Sequence, residues 1–124
     1  MRRRAVGSSG LQVSRLGLGT LTWGRDTRAE EARALLLAFT EAGGSLVDTA
    51  AAYGAGEAER MIGRLMRTDV RRDQLVIATK AGFGIRDGER VIDTSRQTLL
   101  ADLRGSLRRL GTDHIDIWQL HAWG

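Results

Sequence analysis

Residues 74–80 read Gln-Leu-Val-Ile-Ala-Thr-Lys, an apolar run that ends at the only lysine in the chain. A continuous apolar run of this length, with no polar alternation, is expected of a strand covered on both faces in a parallel sheet. Upstream, residues 57–66 place Ala58, Met61, Ile62, Leu65 and Met66 at helical spacing, and Arg71-Arg72-Asp73 marks the turn between that helix and the strand. Further upstream, residues 45–48, Ser-Leu-Val-Asp, read as a shorter buried strand. Downstream, residues 81–94 are rich in glycine and charge and predict a loop. Ser95 then caps a helix running to about Arg109, with Leu99, Leu100, Leu103, Leu107 and Leu110 inward and Gly111 ending it. Residues 114–120, His-Ile-Asp-Ile-Trp-Gln-Leu, predict a last strand, closed by His121.

The same alternation extends to the N-terminal side. Thr27 and Glu30 match a capping box, and Ala29, Ala32, Leu36, Phe39 and Ala42 recur at helical spacing until Gly43-Gly44 stops the helix. Residues 16–20, Leu-Gly-Leu-Gly-Thr, predict a short strand, and residues 3–14 predict a hairpin turning at Gly-Ser-Ser-Gly. The order is a hairpin followed by strand–helix, strand–helix, strand–helix and strand, which implies parallel strands with right-handed crossovers. The repeat is roughly 30 residues, as in a (β/α)₈ barrel, and a full barrel needs about 250 residues. The 124 residues therefore predict one domain, residues 1–124, with the extent of half a barrel.

Composition narrows the function classes. Apolar residues make up 42% and charged residues 27%, and no apolar run approaches a membrane span, so a soluble protein without a membrane partner is expected. The basic start, Met-Arg-Arg-Arg, has no apolar segment behind it and does not read as a signal peptide. With no cysteine there is no disulfide or thiolate metal site to expect, no metal is expected, and the predicted compartment is the cytoplasm. Net charge is +4, almost all of it from arginine. That excess reads either as a solvated surface or as a site for an anion such as a nucleotide phosphate. Scattered basic residues and 5% aromatics argue against nucleic acid.

Four chemically informative residues fall at predicted strand ends: Asp48, Tyr53 five residues on, Lys80 and His121. In parallel α/β folds the C-terminal strand ends collect the active site. Each residue alone has an ordinary structural reading, as a cap, a packed loop aromatic, a solvated charge or a core histidine. Together they can manage a carbonyl. A tyrosine is a weak acid, and an ammonium beside it favours the phenolate left by proton donation. An aspartate keeps the ammonium oriented, and a histidine donor can polarise the carbonyl oxygen. No residue among them supplies hydride, so a nicotinamide cofactor is expected.

The segments LGLGTLTWG at 16–24, DTAAAYGAGEAERMIG at 48–63, VIATKAG at 76–82 and SLRRLGTDHIDIWQLHAWG at 106–124 resemble the N-terminal part of an aldo-keto reductase. The resemblance implies a (β/α)₈ barrel whose bottom the N-terminal hairpin closes. It implies NADPH-dependent reduction of a small aldehyde or ketone, with Tyr53 as general acid, Lys80 and Asp48 tuning it, and His121 orienting the carbonyl. It also implies that Gly19, Thr20, Leu21 and Asp48 lie beside the nicotinamide half of the cofactor. Trp23 and Trp123, with Tyr53 and His121, then face the substrate, with plain core packing an equal reading of Trp23. The second half of the barrel, with most cofactor contacts, is absent, so the chain reads as a fragment of such a reductase, with a rival expectation: a truncated, non-catalytic half-barrel that is inactive or pairs with itself or a partner through open strand edges. A third reading takes Gly54-Ala55-Gly56 as a phosphate loop in a doubly wound domain.

Overall fold

The computed structural model describes residues 1–123. Strands β1 (Arg3–Ala5) and β2 (Gln12–Ser14) form the antiparallel N-terminal hairpin. A four-stranded parallel sheet follows, in the order β3 (Gly17–Gly19), β4 (Leu46–Asp48), β5 (Val76–Ala81) and β8 (Ile117–Leu120). Helices α1 (Ala29–Glu41), α2 (Glu57–Thr68) and α3 (Arg96–Leu110) connect successive strands. The predicted hairpin and strand–helix order are therefore present, as half of a barrel wall.

The three helices cover one face of this wall. The core joins Val47 and Ile77 of the sheet to Leu36, Met61, Ile62, Leu65 and Leu110 of the helices, with Trp23 buried among them. On β5, Ile77 and Thr79 turn toward the helices, and Val76, Ala78 and Lys80 turn to the opposite face by the period-two alternation of a strand. That second face is partly open, so β5 is less covered than its apolar run predicted. The outer strands are more open still: Leu16, just before β3, is 66% exposed, and Leu120 at the end of β8 is 55% exposed.

Gly63 lets α3 end against α2, because a Cβ there would meet the Arg109 carbonyl and lie 2.9 Å from the Leu110 oxygen. Next to this contact, the fully buried Glu59 of α2 accepts from Thr79 Oγ1 of β5 (2.7 Å) and from Arg109 Nε of α3 (2.7 Å). Arg72 performs the corresponding task for β8. Its guanidinium donates to Thr112 Oγ1, the Leu75 and His114 carbonyls and Asp116 Oδ2, and the same Asp116 oxygen accepts the Ile77 amide at 2.8 Å. These bonds set β8 beside β5 with Lys80 opposite Gln119.

Several local expectations are corrected. Residues 83–92 are not a plain loop but a hairpin, β6 (Phe83–Arg86) and β7 (Glu89–Ile92), whose two-residue turn has positive φ at Asp87 and Gly88. That is the backbone a tight hairpin needs. Thr27 does not cap α1: the N-cap is Arg28, and the Thr27 hydroxyl is taken by that of Thr22 at 2.7 Å. Ala29 and Ala42 are exposed, and of the five inward leucines of α3 only Leu110 is fully buried. Lys80 lies within β5 rather than beyond it. No helix among the described residues is long and apolar enough to cross a membrane.

Candidate active site

The backbone ladder continues past the end of β4. The Thr49 amide donates to the Ala78 carbonyl and the Ala51 amide to the Lys80 carbonyl, while Thr20 donates both its amide and its hydroxyl to the Asp48 carbonyl. On the other side, the His121 amide donates to the Ala81 carbonyl at 2.9 Å. These bonds pin the C-terminal ends of four strands side by side. Asp48, Lys80 and His121 all emerge on the face away from the helices, and Tyr53 reaches them from the turn Tyr53–Gly56 between β4 and α2.

Lys80 is the centre of the resulting cluster. Its ammonium donates to both carboxylate oxygens of Asp48 at 3.0 Å, to the Thr49 carbonyl at 3.0 Å and to the Tyr53 hydroxyl at 3.3 Å. It also stands 5.0 Å from the centroid of the Tyr53 ring, close enough for a cation–π contribution. The Lys80 side chain is 17% exposed and that of Asp48 42%, so the pair sits at the rim rather than in the core. A half-exposed pair contributes little to stability; its consequence is to hold a positive charge beside the tyrosine oxygen.

His121 completes the group, its ring edge-on to Tyr53 with centroids 5.9 Å apart. Phe83, from the β6–β7 hairpin, covers the other side of the imidazole at 4.8 Å. Burial, and secondarily the Lys80 charge, holds the His121 pKa below its ordinary 6.5 against the opposing pull of Asp48. Its Nδ1 is buried without a hydrogen-bond partner among the described residues. In the neutral ring one nitrogen donates and the other accepts, and a proton on Nε2 would leave Nδ1 as the unpaired acceptor.

The structure brings Asp48, Tyr53, Lys80 and His121 together. It leaves Gly19 with open space where a Cβ would stand and Leu21 55% exposed, at the same strand ends. Thr20 is fully buried, and its hydroxyl serves the β3–β4 junction. Trp23, expected to wall a substrate pocket, is 1% exposed and belongs to the core; its large apolar ring is better accommodated beneath α1 and α2 than at a wet rim. Trp123 is 96% exposed. Two contributors escaped the sequence reading. Phe83 lay in the segment expected to be a loop, although Asp87-Gly88 is a hairpin signal. The Thr49 carbonyl, a third acceptor for Lys80, carries no side-chain signature.

The family model for the aldo/keto reductase family matches residues 15–124. This chain belongs to that family. Its similarity to the aldo-keto reductase YhdN of Bacillus subtilis (strain 168) is 33% identity over 129 residues, covering 98% of this chain and 38% of YhdN. A probable voltage-gated potassium channel subunit beta of Oryza sativa subsp. japonica is 38% identical over 123 residues, covering 98% of this chain and 37% of that protein. Among solved structures, the holo form of an aldo-keto reductase from Bacillus halodurans superposes with a TM-score of 0.89 at 34% identity, covering 100% of this chain and 41% of that one. The chain thus spans about four-tenths of the length of these aldo-keto reductase relatives. Their barrel fold agrees with the half-barrel architecture described above.

Proposed function

We propose that this chain carries the proton-transfer side of an NADPH-dependent reduction of aldehydes and ketones to alcohols. The observation that carries the reading is the Lys80 ammonium, held by both oxygens of Asp48 and donating to the Tyr53 hydroxyl. Tyr53 breaks its O–H bond and gives the proton to the developing alkoxide of the substrate. Lys80 stabilises the phenolate left behind, and Asp48 keeps the ammonium in place. His121, neutral and with its proton on Nε2, donates a hydrogen bond that orients the carbonyl oxygen. Trp123 offers its exposed ring to the apolar part of a substrate.

The residues present fit the nicotinamide end of the cofactor. The four clustered side chains move or hold protons and cannot supply hydride, and the shelf formed by Gly19, Leu21 and Asp48 is open at the strand ends. Gly19, Leu21 and Asp48, with the backbone of Thr20, would hold that end; the nicotinamide, when bound, supplies the hydride. The preference for NADPH over NADH rests on the family resemblance, and the setting proposed is the cytoplasm. The test is cofactor oxidation by the protein with an aromatic aldehyde. Faster oxidation of NADPH than of NADH supports the reading. Equal rates remove the NADPH preference, and no oxidation of either removes the enzymatic assignment.

A second reading, a pairing or binding module, is favoured by the open outer strands β3 and β8 and by the channel-subunit name of the Oryza relative. It shares the fold but requires no turnover, so the same assay separates the two.

A further inference from the structure

A depression of about 300 Å³ lies between α2 and α3, on the helical side of the sheet, and five arginines line it. Arg60, Arg64 and Arg67 come from one face of α2 at the i, i+4, i+7 spacing, and Arg108 and Arg109 from the last turn of α3. Two carboxylates offset part of this charge. Glu57 accepts from Arg64 at 2.7 Å and lies 3.5 Å from Arg60, and Glu59 accepts from Arg109 at 2.7 Å. Arg67 and Arg108, both exposed, have no carboxylate within ion-pair distance among the described residues.

The guanidiniums are also crowded. Arg109 Nε and Arg60 Nη1 lie 3.1 and 3.3 Å from the one point that a Cβ on Gly56 would occupy. Two like charges that face one point repel, and a shared anion between them offsets the repulsion. The dipole of α3 accounts for cations in its last turn. It does not account for Arg60 and Arg64, which stand in the body of α2 and complete the ring. Every basic group here is arginine, whose planar fork engages phosphate oxygens in pairs. The net +4 of the whole chain is thus concentrated in part on this groove.

We propose that the α2–α3 groove binds a small soluble oligophosphate, either inorganic or the phosphate chain of a nucleotide, with its oxygens bridging the two helices. The size of the depression suits a short phosphate chain, and five guanidiniums against two carboxylates, with Arg67 and Arg108 unpaired among the described residues, call for a multivalent anion rather than a single carboxylate.

Isothermal titration of the protein with inorganic tripolyphosphate, at fixed ionic strength, tests this. The expected result is saturation at one tripolyphosphate per chain, weakened at least tenfold in Arg67→Ser/Arg108→Ser. Neither of those side chains makes a hydrogen bond or ion pair among the described residues, and circular dichroism checks that the variant is folded. Arg3→Ser/Arg4→Ser removes the same charge from the exposed strand β1 and should bind like the unaltered protein. A parallel titration with a nucleoside triphosphate separates the sources: tighter binding than tripolyphosphate assigns a nucleotide, weaker binding an inorganic chain. Absence of saturation, unchanged affinity in the groove variant, or equal weakening by the β1 variant would overturn the proposal.

Discussion

Lys80 touches three partners through one ammonium, and the chemistry of the site follows from that single side chain. Neither Asp48 nor Tyr53 bonds the other; each is placed by Lys80. His121 is placed differently, by its amide bond to Ala81 and by the rings of Tyr53 and Phe83. The folded chain binds the imidazole proton less readily than the unfolded chain, so the associated stability is present above pH 6.5 and is lost as pH falls below it toward the folded value. An NMR titration of the His121 ring is expected to give a midpoint below 6.5; a midpoint at or above that value contradicts the packing described. The four cluster residues were legible because their types and spacings are unusual together. Glu59 was not legible as a buried anchor. On sequence it is one more acidic residue on a helix, and only the meeting of α2, β5 and α3 buries it against Thr79 and Arg109.

Elements were legible where local and tertiary signals agree. Helix α3 shows this at its start, where the Ser95 hydroxyl accepts the Thr98 amide as the sequence predicts. Just before it, Asp93 accepts the Thr98 hydroxyl and the Ser95 amide, and these bonds, the first above all, hold its pKa down to about 2. Ser95→Ala is expected to cost about 1 kcal/mol in denaturant unfolding. No loss would show that Asp93 alone organises the helix start. Thr27 failed as a cap because its hydroxyl has a competing partner in Thr22, five residues away, in a turn that no helical pattern reveals. The β6–β7 hairpin was missed because glycine and charge weighed toward a loop, although Asp87-Gly88 supplies the two positive φ values of a tight turn. The hairpin is held to the rest of the protein by the Gly82 amide, which donates to Asp102 Oδ2 of α3, and so Phe83 reaches His121.

Across the whole molecule, the parallel order and the open outer strands were readable from the strand–helix repeat and the half-barrel extent, whereas the partly open second face of β5 was not. An apolar run says that a strand is buried but not how completely each face is covered. Here β3 and β8 have one hydrogen-bonded neighbour each, and Trp118 and Leu120 of β8 are exposed. Unpaired apolar edges favour association, and a lysine placed on such an edge opposes it. Sedimentation of the 124-residue chain is expected to show species larger than 13.6 kDa, shifted toward the monomer by Leu120→Lys. A monomer in both would remove the pairing reading.

In the proposed function, Tyr53 donates the proton in carbonyl reduction. The most direct measurement is single-turnover reduction of an aromatic aldehyde by the NADPH-loaded protein and by its Tyr53→Phe variant, with NADPH binding measured for both. Retained binding is expected, with a fall in rate of about 10²- to 10⁴-fold. Reduction by Tyr53→Phe at the unaltered rate would contradict it.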